Sequence, residues 1–502
     1  CGGVRVVLFN SFEFLFLFLP ATWGIWRVMC RMHAERASLQ LLLAASLFFY
    51  AWWNPPYLLL LAASICVNYV FGCLLSRTSG GNARDGHGRT SLLLLGIFLN
   101  LALIGYYKYA GFFLESAGSL FGFPVSAREV FLPLGISFFT FQQIAWLVDS
   151  WRRTVVANDI SQYALFVSFF PQLIAGPIVR AQDIVPQFGL NRTFCFSWNN
   201  TCLGLALLSL GLFKKVILAD TFSPLVAAVF DDANVPTLIE AWGAALAYTF
   251  QIYFDFSGYS DMALGLGRLF NIVLPENFNS PYKACSIIDF WRRWHMTLSA
   301  FLRDYLYIPL GGSRRGRIRR YVNLMITMLL GGLWHGAGWT FVLWGGLHGL
   351  YLTVNHLWRD AHLPALPRLF GWVLTFLSVV TGWVFFRAAS LSRAMEILSG
   401  MLGRNGIVVP PDYSLAEAFP GALRALGVQV LSPEAWRFEG RFQTVALTVG
   451  FILCLLLPNA LQWCAGRPWR GRPWTTRLVV GTALVAVALS LHRVSEFLYF
   501  RF

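Results

Sequence analysis

Long apolar runs recur along the whole chain, and they limit the folds available to it. About 20 apolar residues in a helix cross a hydrocarbon core of roughly 30 Å. Runs of about this length are found at Leu39–Trp53, Tyr57–Leu75, Ser91–Tyr107, Leu238–Phe256, Val445–Trp463 and Leu478–Leu491. By this criterion the sequence predicts an all-α, polytopic membrane protein with about 11–13 spanning or re-entrant helices.

The charge content supports a bilayer as the main partner. Charged residues make up 13% of the 502 residues, whereas a soluble domain carries roughly 25%. The net charge of +15 is concentrated in short loops between the apolar runs. Basic residues in short loops are typical of the positive-inside pattern of membrane proteins. They do not form the continuous basic face of a nucleic-acid-binding protein.

The distribution of Arg and Lys predicts the orientation in the membrane. Basic residues follow the first, third and fifth runs, and the densest basic loop is Gly311–Arg320. Since basic loops remain in the cytoplasm, we expect an external N-terminus. The polar stretch 400–442 is balanced in charge and is expected on the outer face. No other segment is long enough for a soluble catalytic domain, so the chemistry is expected within the membrane-embedded body.

A segment rich in Trp and Arg contains the first candidate histidine. The spacing over Ser286–Tyr305 predicts one amphipathic helix, with Asp289 and Arg292 on one face and Trp291 and His295 on the other. Such a helix would lie at the cytoplasmic interface and turn His295 inward. The pattern alone leaves two interpretations open, a packed core histidine or a functional one.

The second candidate, His335, lies in the glycine-rich segment LLGGLWHGAGW. An imidazole among apolar residues is costly unless it meets a cavity or a partner, and the small neighbours leave room for one. With an ordinary pKa near 6.5, histidine can accept the proton of an alcohol that attacks a thioester. A helix-packing role is the alternative. His348 follows 13 residues later; on one continuous helix it would lie roughly 20 Å away and could share the site only if the glycines break the helix.

Other polar groups within apolar runs have weaker interpretations. Asp255 and Asp261 are six residues apart, so they do not share a helical face, and a neutral or Arg-paired structural role is favoured. Gly176-Pro177 predicts a broken or re-entrant helix. The motifs of ATP-driven transport, nicotinamide chemistry, zinc hydrolysis and serine hydrolases are absent from the sequence, and we expect no metal site.

Four blocks of the sequence resemble a known family, the membrane-bound O-acyltransferases. They are NSFEFLFLFLP (10–20), FPQLIAGPIVR (170–180), IYFDFSGYSDMALGLGRLFNI (252–272), and the pair formed by 278–310 and 329–349. The ending SEFLYFRF also matches. Within the family, the chain is more similar to the alginate O-acetyltransferase membrane subunits than to the branch that transfers D-alanine to lipoteichoic acid.

The resemblance implies a fold with a central funnel and a site that contains two histidines. His335 matches the family's catalytic histidine and His295 its second histidine. Donor access is implied from the cytoplasm and acceptor access from outside. Arg314–Arg320 would lie near the donor entrance, where the run is either ordinary positive-inside charge or part of a binding site for an anionic donor such as acetyl-CoA. Further candidates for substrate binding are Trp334, Trp291, Asp289, Arg292, Asp255, Arg314 and Arg315.

The interpretation of the whole chain is a membrane O-acetyltransferase of the bacterial inner membrane. Acetyl would come from acetyl-CoA or an acyl carrier, without a bound cofactor. It would reach a periplasmic, serine-dependent acetyltransferase of the SGNH type, which modifies an exopolysaccharide, with alginate preferred. His335 would act as general base or orient the acceptor hydroxyl, and His295 would assist. The alternative is a transporter or flippase of an acylated compound without transfer chemistry.

The expected organisation is one membrane-embedded domain over residues 1–502. It comprises N-terminal helices at 11–76, a core at about 90–390, the polar loop 400–442 and C-terminal helices at 443–492.

The predicted orientation can be tested by labelling engineered cysteines on intact cells. A cysteine at position 316 should react with a membrane-impermeant maleimide only after the cells are opened, because the basic loop is expected in the cytoplasm. A cysteine within 400–442 should react from outside. External labelling at position 316 would contradict the topology.

Overall fold

The computed structural model describes residues 8–77, 83–124, 131–155, 159–409, 421, 428–430, 440–464, 474–490 and 497–498. Within these ranges the helices are joined by turns and loops, and two short strands, Val408–Val409 and Gln429–Val430, pair in parallel. The described residues include four helical segments that are long and apolar enough to cross a membrane: Pro55–Ser76, His87–Phe121, Trp198–Phe230 and Arg368–Arg387. Shorter apolar helices accompany them. The prediction of a helical, polytopic membrane protein is confirmed.

The chain divides into two compact units. The first comprises residues 1–212, 259–277 and 464–500, and the second comprises 213–258, 278–463 and 501–502. The expectation of one domain over residues 1–502 stays a prediction. Most of the stretch 400–442 and most of the C-terminal aromatic ending lie outside the described residues.

The first unit consists of helices that pack around the N-terminal block. Phe14 is fully buried, and its ring lies 5.6 Å from that of Phe49 and 6.1 Å from that of Phe170. Its α-helices are Leu19–Arg31, Glu35–Trp53, Pro55–Arg77, Ala83–Ile104, Ala110–Phe121, Ile136–Trp151, Ile160–Ser168, Phe170–Leu173, Ala181–Ile184, Trp198–Phe213, the last part of Leu238–Leu269, and Trp474–Ser490, with π-helical segments at Phe14–Phe18 and Gly105–Tyr109 and 3₁₀ turns at Val185–Gly189 and Asn191–Phe194. After Phe170–Leu173 the chain leaves the helical conformation through Gly176-Pro177, so the predicted break is present.

The second unit holds both candidate histidines. Its α-helices are Asp220–Phe230, the first part of Leu238–Leu269, Ile287–Trp291, Met296–Leu302, Arg317–His335, Trp339–Asp360, Arg368–Arg387, Leu391–Met401, Gly440–Leu455 and Ala460–Cys464, with π-helical segments at Lys214–Ala219 and Arg303–Tyr307 and a 3₁₀ turn at Pro281–Lys283. The apolar run Val445–Trp463 is therefore not one helix. Pro458 cannot donate a backbone hydrogen bond, and it separates the helices that end at Leu455 and begin at Ala460.

The predicted continuous helix over Ser286–Tyr305 is wrong. The Ser286 Oγ accepts the Asp289 N–H at 3.2 Å and starts a helix that ends at Trp291. The chain then turns, and a new helix begins after His295, whose φ of +43° is left-handed. The Arg293 carbonyl oxygen, freed by this turn, accepts the Asn279 N–H at 2.9 Å. A tertiary hydrogen bond thus replaces a helical one, which the local pattern could not indicate.

Glycines break the chain between His335 and His348. One helix ends at His335, the chain bends through Ala337 with the Gly338 N–H donating to the Gly336 carbonyl oxygen at 3.0 Å, and the next helix begins at Trp339. A Cβ atom on Gly332 would lie 2.3 Å from the Phe341 carbonyl oxygen. The two helices therefore pack back to back with their backbones in contact, which only residues without a side chain allow. The glycines thus break the helix between His335 and His348, which is the condition under which these two histidines could lie in one region.

The basic run Arg314–Arg320 is only partly a loop. Gly316, with a φ of +89°, ends the loop, and the first turn of the helix from Arg317 contains the remaining arginines. Arginine has a high helix propensity, so these residues extend the helix that leads to His335.

A buried ion pair joins two segments of the second unit. The Lys215 ammonium lies 2.8 Å from Asp255 and 3.0 Å from Asp220, and Lys215 and Asp255 are each only 2% exposed. The sequence favours a neutral Asp255 or one paired with arginine, whereas in the structure its partner is Lys215. Lys215 lies in the π-helical segment Lys214–Ala219, a local distortion that sequence spacing does not reveal.

Removing Lys215 should destabilise the protein more than removing its neighbour. Lys215→Met leaves the Asp255 carboxylate buried without its cation, a change that typically costs about 3–5 kcal/mol. Thermal unfolding in detergent should show a clear drop in Tm, and Lys214→Met should show a smaller one. The double variant Lys215→Met/Asp255→Leu should recover most of the loss. A Lys215→Met protein as stable as the wild type would contradict a structural role for the pair.

Candidate active site

His295 occupies a turn between two short helices and is fully buried. Its ring stands perpendicular to that of Phe256 at 4.8 Å between centroids, and the Phe278 ring lies 6.5 Å away. Burial lowers the pKa of His295 to about 3. The imidazole is therefore neutral at physiological pH, and a neutral imidazole both accepts and donates a hydrogen bond.

His335 is the last residue of its helix and is 4% exposed. Aromatic rings surround it: Trp334 at 4.9 Å, Trp344 at 5.0 Å and Phe386 at 5.3 Å between centroids. The Trp344 ring meets it edge to face at 87°, a favourable aromatic geometry. The helix ends at His335 and the backbone of Gly336 is extended, so the side chain lies at a break between two helices.

The structure brings the two histidines together. Their ring centroids are 6.3 Å apart, and Trp334 lies next to both, 6.1 Å from His295 and 4.9 Å from His335. Two hydrogen bonds of about 2.8 Å to a single oxygen fit this separation. The arrangement can therefore hold one hydroxyl group between two imidazoles in a water-poor, aromatic environment, where electrostatic interactions are stronger than in water.

The other residues proposed from the sequence lie in different settings. Trp291 donates its indole N–H to the Nδ1 atom of His348 at 3.3 Å. Asp289 forms an ion pair with Arg293 at 2.8 Å, and both side chains are about one-third exposed. Arg292 is exposed. Among the described contacts, the nearest interactions of these residues are therefore with groups other than His295 and His335.

Two of the proposed arginines line a separate basic cavity. Arg314 and Arg315 lie with Arg303 around a cavity of about 490 Å³, whose wall is completed by the loop Gly311–Ser313. Arg303 is already bound to Asp304 by two hydrogen bonds of 2.6 and 3.0 Å. The loop is anchored by the Asn323 side chain, which donates to the Gly312 carbonyl oxygen at 3.0 Å. Arginines around a shaped cavity are suited to phosphate groups.

Sequence reasoning did not find several residues of the site. Trp344, Phe256 and Phe386 contact the histidines, but they are ordinary apolar residues in the sequence and gain their role only from long-range packing. Lys215 carried a usable signal, because a lysine inside an apolar run calls for a buried partner. Within the described residues, no cluster of three or more His, Cys, Asp or Glu side chains is arranged to hold a metal ion.

Comparison with known proteins gives these residues a family context. A sequence model of the membrane-bound O-acyltransferase family matches residues 95–392, which include both histidines. The chain is 44% identical to the peptidoglycan O-acetyltransferase of Helicobacter pylori over 434 residues, 80% of this chain and 81% of the relative. It is 44% identical to a probable alginate O-acetylase of Pseudomonas aeruginosa over 403 residues, 79% and 75% of the two chains. A probable alginate O-acetylase of Pseudomonas putida is 39% identical over 517 residues, 99% of this chain and all of the relative.

These matches confirm both the resemblance and the prediction of an enzyme rather than a transporter without transfer chemistry. The matched region contains the glycine-broken helices and the buried histidine pair. The chain is a multi-pass member of the membrane-bound O-acyltransferase family and an O-acyltransferase.

Proposed function

We propose that this enzyme transfers an acetyl group from a cytoplasmic thioester to an acceptor at the periplasmic face of the bacterial inner membrane. The observation that carries the proposal is the pair of buried imidazoles of His295 and His335, 6.3 Å apart between centroids in an aromatic environment. Two histidines so placed suit proton transfer from a hydroxyl group. The relatives named above act on acetyl groups, as their names state.

His335 is the general base of the proposed reaction. An alcohol is a poor nucleophile toward a thioester, and the imidazole removes its proton as the oxygen attacks the carbonyl carbon. The carbon–sulfur bond then breaks, and the imidazolium returns the proton to the leaving thiolate. An ester, a free thiol and neutral His335 remain. His295, neutral because of its burial, holds the hydroxyl in position through a hydrogen bond.

The acceptor in this proposal is the serine of a periplasmic SGNH-type acetyltransferase, which passes the acetyl group to an exopolysaccharide. Alginate is the preferred polymer because probable alginate O-acetylases match up to the full length of the chain. The similarity to a peptidoglycan O-acetyltransferase is comparable, so peptidoglycan is the polymer to compare in the test.

The basic cavity at Arg314 and Arg315 is the proposed binding site for the donor. Acetyl-CoA and the acetylated phosphopantetheine of a carrier protein both carry phosphate, and arginine binds phosphate with geometric specificity. Gly311 turns the loop at this site with a φ of +111°, a backbone conformation that favours glycine. The donor is a substrate, and the proposal includes no resident cofactor.

Replacing His335 should abolish acetylation without loss of the folded protein. We expect His335→Ala and His335→Gln to reduce transfer from acetyl-CoA or an acetylated carrier in detergent by roughly 10²–10⁴-fold, because neither side chain can act as a base. Substantial activity of His335→Gln would show that the residue orients the hydroxyl instead, and an active His335→Ala would refute the site. His295→Ala should lower the rate by a similar factor, and a rate within about threefold of wild type would make His295 structural.

The polymer that receives the acetyl group can be identified in cells that carry His335→Ala. Acetate released by mild alkali should be lost from exported alginate and retained in peptidoglycan. The reverse result would assign the enzyme to peptidoglycan, and matched yields and Tm values of the variant and wild type serve as the folding control.

Removing the cavity arginines should weaken donor binding. Arg314→Ala/Arg315→Ala should raise the KM for acetyl-CoA about tenfold or more, since charge-assisted phosphate contacts are lost. The KM for acetyl-pantetheine, which lacks phosphate, should not change. Arg319→Ala is the control, because Arg319 is exposed on the following helix and does not line the cavity. An equal effect on both donors would contradict a phosphate site, and comparison with an acetylated carrier protein identifies the natural donor.

A further inference from the structure

His348 is a buried histidine in the same region that the proposed chemistry does not use. It lies on the helix Trp339–Asp360 with no exposed surface. Its Nδ1 atom accepts the indole N–H of Trp291 at 3.3 Å. Because Nδ1 is the acceptor, the neutral ring carries its proton on Nε2. The hydrogen bond thus sets both the tautomer and the orientation of the ring.

Trp344 connects this histidine to His335. It lies one helical turn before His348, and the two ring centroids are 4.9 Å apart. The opposite contact of Trp344 is the edge-to-face pair with His335, at 5.0 Å and 87°. Trp383 stacks on the same indole at 5.8 Å with an interplanar angle of 17°. Together with Phe386 at 5.1 Å and Trp291 at 5.9 Å, these rings fix the plane of Trp344, and that plane forms one wall of the His335 side chain.

The far side of His348 faces a glycine. A Cβ atom on Gly382 would lie 3.0 Å from Nε2 of His348 and 3.5 Å from the Trp344 ring. This is tighter than ordinary van der Waals contact, so a side chain at position 382 would push the histidine out of its present position. Glycine at position 382 thus lets the helix Arg368–Arg387 pack directly against the His348–Trp344 pair.

We propose that His348 is a positioning residue for acyl transfer. The hydrogen bond from Trp291 fixes the His348 ring, and the His348 ring packs against Trp344. Trp344 in turn holds the His335 imidazole in the orientation needed for proton transfer. This inference rests on the proposed role of His335 as the base. A displacement of about 1 Å at a catalytic group can cost about 100-fold in rate, so an indirect contact of this kind is sufficient to control kcat.

The hydrogen bond is tested with a double-mutant cycle in the full-length enzyme. His348→Phe keeps an aromatic ring of similar size but removes the acceptor, and Trp291→Phe removes the donor. We expect His348→Phe to lower kcat about 10-fold to 100-fold, with the KM for acetyl-CoA within about twofold of wild type. The double variant should be no slower than the slower single variant, because both changes break the same bond.

A steric variant provides a second, independent test in which His348 is retained. Gly382→Ala should lower kcat by about threefold or more, again without a change in KM, because the new methyl group displaces the imidazole. Gly346→Ala is the matched control. Its Cβ atom would meet only the flexible Leu329 side chain at 3.4 Å, so its kcat should equal that of wild type.

The inference is overturned if His348→Phe retains kcat within about threefold of wild type, or if the effects of the two Phe variants simply multiply. It is also overturned if Gly382→Ala and Gly346→Ala have the same kcat. A third contrary result is a lower kcat accompanied by an equal fold-change in KM and a clear drop in Tm, since that combination indicates a general loss of packing. His335→Ala is measured in parallel. An active His335→Ala would refute the proposed function itself, whereas an inactive one with normal His348 variants would refute this inference alone.

Discussion

The direct contact between the backbones of the helices Arg317–His335 and Trp339–Asp360 determines the geometry of the site. Gly332 faces the Phe341 carbonyl oxygen, and a Cβ atom on Gly345 would lie 2.2 Å from that of Met328. Any larger residue at either position would separate the helices. The two helices are in contact because the chain reverses direction at residues 336–338. The helix that contains His348 therefore packs against the helix that ends at His335. Within a bilayer, where apolar surface gives no strong preference for one helix partner over another, such close packing is a principal source of specificity.

Several buried polar side chains of the second unit form ion pairs, hydrogen bonds or ring contacts with residues from other helices. Lys215 and Asp255 neutralise one another at 2.8 Å. His348 accepts from Trp291. His295 and His335 lie among aromatic rings, and we propose that they act on the substrate there. The cost of burying each group is thus met by a partner or is associated with the proposed chemistry, as expected for ionisable residues in membrane proteins.

One helix links the proposed donor site to the proposed base. It begins beside the basic cavity of Arg314 and Arg315 and ends at His335, and its 19 residues correspond to about 28 Å. In the proposed reaction, a thioester donor held by its phosphate groups at this cavity extends toward His335. An extended pantetheine chain, common to CoA and acyl carriers, has the linear shape that such a path requires. Acceptors that approach from the other side need no contact with the basic cavity.

The sequence by itself determined the membrane class, the helical content and the family, and it pointed to the two histidines that the structure brings together. These depend on apolar run length, charge content and local motifs, which do not require knowledge of the packing. Tertiary structure decided where helices break. The left-handed turn at His295 is stabilised by the Asn279–Arg293 hydrogen bond, and Lys215, rather than an arginine, pairs with Asp255. It also decided that Trp344 contacts both His335 and His348. Such contacts join residues far apart in the chain or across a backbone reversal, so helical periodicity cannot predict them.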